Sequence, residues 1–140
     1  MREHILSVIG GAIAGVFGVV MVEAISSLLY PLPPGLDMND REAMIAHQAS
    51  LPAGAFAMVL AAHATGSFLG GAVCAFISRR KAYDRALIIG LLLMVAGILT
   101  LLAMPHPVWF ALADVVVYVP FAFLGCFVAV TLVGPRDARN

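Results

Sequence analysis

The sequence predicts an all-α membrane protein, a bundle of four transmembrane helices, and three observations predict it. Hydrophobic residues make up 62% of the 140 residues and charged residues only 11%, against about 45–50% and about 25% in soluble domains. A soluble fold of this size would need far more charge to cover its surface. The charges are also bunched: residues 5–22, 43–78, 86–113 and 115–135 contain no Asp, Glu, Lys or Arg. A helix needs ~20 mainly apolar residues to cross a ~30 Å hydrocarbon layer. The runs are solid rather than alternating, which argues against a β-barrel. Low charge with high hydrophobicity excludes disorder. A net charge of zero leaves no global basic footprint for nucleic acid.

The first span is expected over about 5–30 and stops at Tyr30-Pro31. The second runs over about 53–78 and stops at Arg79-Arg80-Lys81, leaving 79–85 as a loop. Pro105-His106-Pro107 then divides a third span, about 86–104, from a fourth, about 108–133. Proline lacks the backbone donor and disfavours helix in the residue before it, so the chain turns there. Gly134-Pro135 ends the last span, and residues 1–140 form one membrane domain.

The 31–52 loop has its own pattern. Pro31-Leu32-Pro33-Pro34-Gly35 reads as a stiff, extended segment. Asn39-Asp40-Arg41-Glu42 reads as a helix start, with Asn39 as the cap and Glu42 three residues later. Met38, Met44, Ile45 and Ala49 would form an apolar stripe. A short helix lying on the membrane interface is expected.

Orientation follows from the basic residues. Arg2, Arg79, Arg80, Lys81, Arg85, Arg136 and Arg139 fall on one side of the four spans, and Arg41 alone falls on the other. Lys and Arg collect on the cytoplasmic side, so both termini and the 79–85 loop should be cytoplasmic. Tyr30 and Trp109 then sit near the outer interface and Tyr83 near the inner one. The first span is expected to be retained rather than cleaved as a signal. Its apolar run exceeds the usual ~7–15 residues, and Glu23 stands where a small-residue cleavage site would be needed.

Helices in lipid associate through small residues that let backbones approach. Gly11 and Gly15 make such a face on the first span. The second span has two adjoining rows, Ala62-Gly66-Gly70-Cys74 and His63-Ser67-Gly71-Ala75, at four-residue steps. Gly90 and Gly97 mark the third span, and Ala111, Ala122 and Gly125 the fourth. Packing within one bundle is the expected use of these faces.

Three ionisable residues, Glu23, His63 and Asp114, lie inside the spans. Such groups are costly in hydrocarbon and are candidate functional residues. Glu23 is seven residues before Tyr30 and Asp114 seven after Pro107, so each lies ~10 Å below the outer end at ~1.5 Å per residue. His63, eleven residues after Pro52, should lie deeper. Two carboxylates facing each other at matched depth could bind a cation or pass protons toward His63. The plainer expectation is that Glu23 and Asp114 bond to Ser26, Ser27, Tyr118 or backbone and fix helix register. His47 and His106 lie outside the spans without a paired ligand spacing, so no metal is expected. Cys74 and Cys126 read as buried small apolar residues. No cofactor is expected, and neither is an enzyme, because phosphate loop, nucleophile elbow and zinc motif are all missing from the sequence.

Tyr30-Pro31-Leu32-Pro33-Pro34-Gly35, then Ser50-Leu51-Pro52, Gly66 to Gly71 and Pro105-His106-Pro107-Val108-Trp109 resemble a group of small bacterial four-helix inner-membrane proteins. The likeness spans almost the whole chain. It implies a bacterial inner membrane and brings no activity or catalytic residue with it. The chain is also superficially similar to small multidrug transporters, which have four short helices and a Glu in the first. Here Glu23 lies in the outer third and lacks that family's surrounding motif, and the long 31–52 loop and the strong charge bias also depart from their compact antiparallel dimers.

Two functions are expected from these features. The leading one is a non-enzymatic accessory component that packs through its Gly-rich faces and outer loop. Besides the lipid bilayer, it would meet a membrane-protein partner or a second copy of itself. The alternative is a small proton- or cation-coupled transporter using Glu23, Asp114 and His63.

Overall fold

The computed structural model describes residues 2–133, so Gly134-Pro135, Arg136 and Arg139 lie outside the described residues. Five helices make up the described chain: α1 (Arg2–Leu29), α2 (Arg41–Ser50), α3 (Ala53–Ile77), α4 (Ala82–Ala103) and α5 (Val108–Val133). Four of them, α1, α3, α4 and α5, are long and apolar enough to cross a membrane. No strand occurs among the described residues.

Local chemistry sets the ends of these helices. At the end of α1 the Tyr30 amide donates to the Ser26 carbonyl at 2.8 Å, and Pro31 stops the ladder. Gly35, at φ +81°, makes the turn that only glycine enters freely. The cap of α2 is Asp40 rather than Asn39. Its Oδ1 accepts from the amides of Glu42 at 3.0 Å and Ala43 at 3.1 Å. Asn39 is held elsewhere, its amide and side chain both donating to Asp37 Oδ1. A carboxylate also complements the positive end of the helix dipole better than a neutral amide does.

The connection from α3 to α4 is tighter than a seven-residue loop. Only residues 78–81 separate the two helices. Lys81 reverses the chain in the left-handed region at φ 58°. Helix α4 thus starts at Ala82 and takes Tyr83, Asp84 and Arg85 into its first turn. Pro120 lies inside α5 on an exposed face, leaving the Val116 carbonyl without its helical donor.

Helix α3 is the centre of the bundle, packing against α1, α4 and α5. Helix α4 also touches α5 and α1, whereas α1 and α5 do not meet. The two small-residue rows of α3 explain this place. One row faces α1: a Cβ on Gly66 would lie 2.6 Å from the Gly15 carbonyl oxygen, and one on Gly11 2.8 Å from that of Gly70. The adjoining row faces α5, where a Cβ on Gly71 would meet the Ala122 carbonyl. From the other side, a Cβ on Gly125 would meet the Phe68 carbonyl. Backbone lies directly on backbone along both seams, the contact that small residues permit in lipid. The short α2 packs against none of the four long helices at backbone range, and none of its residues is buried.

Candidate functional site

The bundle brings two of the three intramembrane ionisable residues into direct contact. His63 Nδ1 on α3 lies 2.5 Å from Asp114 Oδ1 on α5. Tyr118, one turn along α5 from Asp114, completes the group. Its hydroxyl lies 2.8 Å from the same His63 nitrogen and donates to Asp114 Oδ2 at 3.1 Å. Asp114 is 1% exposed and the His63 side chain 13%. A carboxylate in that position is tolerable only with donors on both oxygens, and His63 and Tyr118 supply them.

The fit around Tyr118 depends on one small residue. Gly97 of α4 lies directly beneath the tyrosine hydroxyl, and a Cβ there would overlap it. The ring is 2% exposed and packs with Ile89 and Leu93 of α4 and Cys74 of α3.

Glu23 does not face Asp114, because α1 and α5 are not neighbours. It is exposed and makes no hydrogen bond among the described residues. It nevertheless reaches the same region. A cavity of about 200 Å³ between α1 and α4 is lined by Glu23, Val20, Thr100, His63 and Tyr118. A second, of about 290 Å³, lies at the α2 end and is lined by Glu23, Tyr30, His47, Phe56, His106 and Phe110 among others. A gap of about 20 Å³, lined by His63, Asp114, Thr100, His106 and Phe110, lies between them. The three spaces thus share walls pairwise. Glu23 borders both larger cavities, and the His63–Asp114 pair borders the gap.

His106 and the rings around it form the wall at the α2 end. His106 stacks on Phe110 with centroids 5.2 Å apart, and Phe56 tilts against Phe110 at 5.3 Å. The His106 Nδ1 donates to the Met104 carbonyl at 2.7 Å. A carbonyl only accepts, so that nitrogen holds the hydrogen. No group of three or more His, Cys, Asp or Glu residues is placed to hold a metal ion among the described residues.

A second polar cluster lies at the opposite end. Arg85, placed in a loop by the sequence reading, is 3% exposed. It donates through Nη1 to the Ser78 carbonyl at 2.9 Å and through Nη2 to His4 Nδ1 at 2.6 Å. Arginine has no acceptor, so His4 Nδ1 accepts. One side chain thereby ties the first turn of α1, the end of α3 and the start of α4. Cys74 and Cys126 are free and buried.

Tyr118 bonds to Asp114 as the sequence reading expected, whereas Arg85 is the residue that sequence reasoning undervalued. The signal for Tyr118 was its i, i+4 spacing from Asp114, which puts both on one helix face. Arg85 carried no such signal, since a cation beside three others reads as part of a solvated loop.

Searches against family models, curated proteins and solved structures find no match to this chain.

Proposed function

We propose that this chain is a multi-pass protein of the bacterial inner membrane that couples the movement of a cation to that of protons, with both termini cytoplasmic and α2 lying on the outer interface. The observation that carries this reading is the buried His63–Asp114–Tyr118 group on the wall of a cavity system that also exposes Glu23. A structural lock would need the buried trio alone. Here the trio borders open space, with an unpaired carboxylate on the same space. The alternative use of the chain as a packing accessory draws less support. Gly11, Gly15, Gly66, Gly70, Gly71 and Gly125 are taken up by contacts within the bundle, so those faces are not free for a partner.

In this reading the α2 end is the outer mouth, and Glu23 receives the entering cation. The trio holds the exchanging proton, with His63 as the group that can load and unload it. Toward the basic end, α1 and α3 pack closely at Gly11 and Gly70, with Ile89 against both glycines.

Reconstitution tests this. Proteoliposomes containing a trapped pH indicator should show a pH change when a gradient of Na⁺, K⁺ or an organic ammonium ion is imposed. Asp114→Asn should abolish it. No pH change with any of these cations, or an unchanged response in Asp114→Asn, would overturn the proposal.

A further inference from the structure

Resting on that reading, we infer that one water molecule in the small gap bridges His106 to the Asp114 carboxylate, and that His106 exchanges the trio's proton with the α2 end. The gap and the cavity of about 290 Å³ share three wall residues, Val59, Phe110 and His106. Val59 and Phe110 are apolar, so His106 is the polar side chain on that boundary among the described residues. His106 also lines a further cavity of about 280 Å³, walled by the end of α2 and the Pro105–Pro107 turn. It therefore borders the gap on one side and both spaces at the α2 end on the other. Glu23 borders the other way round, through the cavity between α1 and α4. In the proposed exchange Glu23 receives the cation, so the proton has an entrance of its own at His106.

Size and chemistry both fit a single water. One water needs roughly 10–15 Å³ of space and about two to four polar partners. The gap measures about 20 Å³, and four of its wall residues are polar: His63, Thr100, His106 and Asp114. Each Asp114 oxygen already accepts one bond, from His63 or Tyr118. A carboxylate has about four lone-pair sites, so acceptor capacity remains. The Thr100 hydroxyl gives its hydrogen to the Ala96 carbonyl at 3.2 Å and keeps its lone pairs. His106 is held in place by its Nδ1 bond to the Met104 carbonyl and by stacking on Phe110. Nδ1 keeps its hydrogen there, so exchange takes place at Nε2. A protonated ring gives its Nε2 hydrogen to the water, and the water gives one of its own to the Asp114 carboxylate. The ring ends neutral, the carboxyl ends protonated and the water is restored; the reverse sequence releases the proton. The titratable groups around His106 are Asp114 and His63 at the gap and Glu23, His47 and Tyr30 at the larger cavity. No Lys or Arg lines these spaces among the described residues, so no fixed cation opposes the proton.

Two measurements test this. In the purified wild-type chain in detergent, nuclear magnetic resonance should show cross-peaks from one long-lived water to the rings of both His63 and His106. That observation needs no variant to fold. Thr100→Val keeps the side-chain shape, removes a polar partner of the water and should weaken the cross-peaks. In proteoliposomes, His106→Gln and His106→Phe should slow the initial pH response by about tenfold or more, with folding checked by thermal unfolding. Thr100→Val should slow it as well, although it removes no titratable group, an effect that a purely structural His106 does not predict. A missing water, or an undiminished pH response in both folded His106 variants, would overturn the inference and leave proton coupling by the trio standing. No pH response in the wild-type chain would overturn the coupling and the role of His106 with it. The bound water would then stand or fall on the cross-peaks.

Discussion

At the scale of single residues, the bond network around Asp114 separates a positioned acid from an incidental one. Tyr118 donates to the carboxylate and touches His63, so Tyr118→Phe removes one partner and leaves the ring packing. Interhelical hydrogen bonds in membranes average only ~0.6 kcal/mol and reach ~1.7. Tyr118→Phe should therefore lower stability by about 1 kcal/mol while shifting the pH profile of the proposed transport, read by thermal unfolding in detergent and by proteoliposome assays. Asp114→Ala should be worse for folding than Asp114→Asn, because alanine leaves two donors facing nothing. Gly97→Ala tests the same site from outside. The added methyl overlaps the Tyr118 hydroxyl, and overpacking of this kind costs about 1–3 kcal/mol. It should disturb the site although it removes no polar group.

At the scale of helices, the seams predict an order of sensitivity. Gly71 and Gly125 face carbonyl backbone across α3 and α5, whereas Gly10 faces the end of the Ile77 side chain. Backbone cannot step aside as a flexible side chain can. Gly71→Ala and Gly125→Ala should each lower the unfolding temperature clearly, by an overpacking cost of about 1–3 kcal/mol or more, while Gly10→Ala should move it little. Helix α2 obeys different rules. It hangs on its Asp40 cap and makes no backbone-range contact with the long helices. Asp40→Ala should cost about 1 kcal/mol of that helix. Amide exchange should then speed up in α2 and stay unchanged in α3 and α5.

At the scale of the molecule, the four spans were legible because length and solid apolarity decide a spanning helix almost alone. The two glycine rows on α3 were legible as faces, since spacing by four fixes a face. Which neighbour each row meets was not, because rotation and order in the bundle depend on all helices at once. The same limit hid the central contact. His63 and Asp114 were placed at different depths by counting from Pro52 and Pro107, yet they bond at 2.5 Å. The count assumed that α3 and α5 start level, and packing does not require it. The Asp40 cap failed on a finer point, one residue of register between two good capping side chains. Arg85 failed for the opposite reason: a charge rule that works on average placed it in a loop, and the fold used it as a tie.

That tie and the charge rule together give the last prediction. Orientation by Lys and Arg depends on their number near the membrane ends rather than on net charge. Arg79, Arg80 and Lys81 lie in or beside the short connection between α3 and α4, while Arg41 stands alone at the start of α2. If these set the topology, single cysteines should label accordingly in a background with Cys74 and Cys126 replaced by alanine. Asn39→Cys should react with a membrane-impermeant maleimide on intact cells stripped of their outer barrier. Arg80→Cys should react only after permeabilisation. Replacing Arg79, Arg80 and Lys81 together by neutral residues while adding three lysines near Met38 should invert or mix the pattern. Labelling of Arg80→Cys from outside in the otherwise unaltered chain would reverse the orientation and place the Glu23 cavity on the cytoplasmic side. The same site would then load from within the cell, and the direction assigned to the exchange would reverse with it.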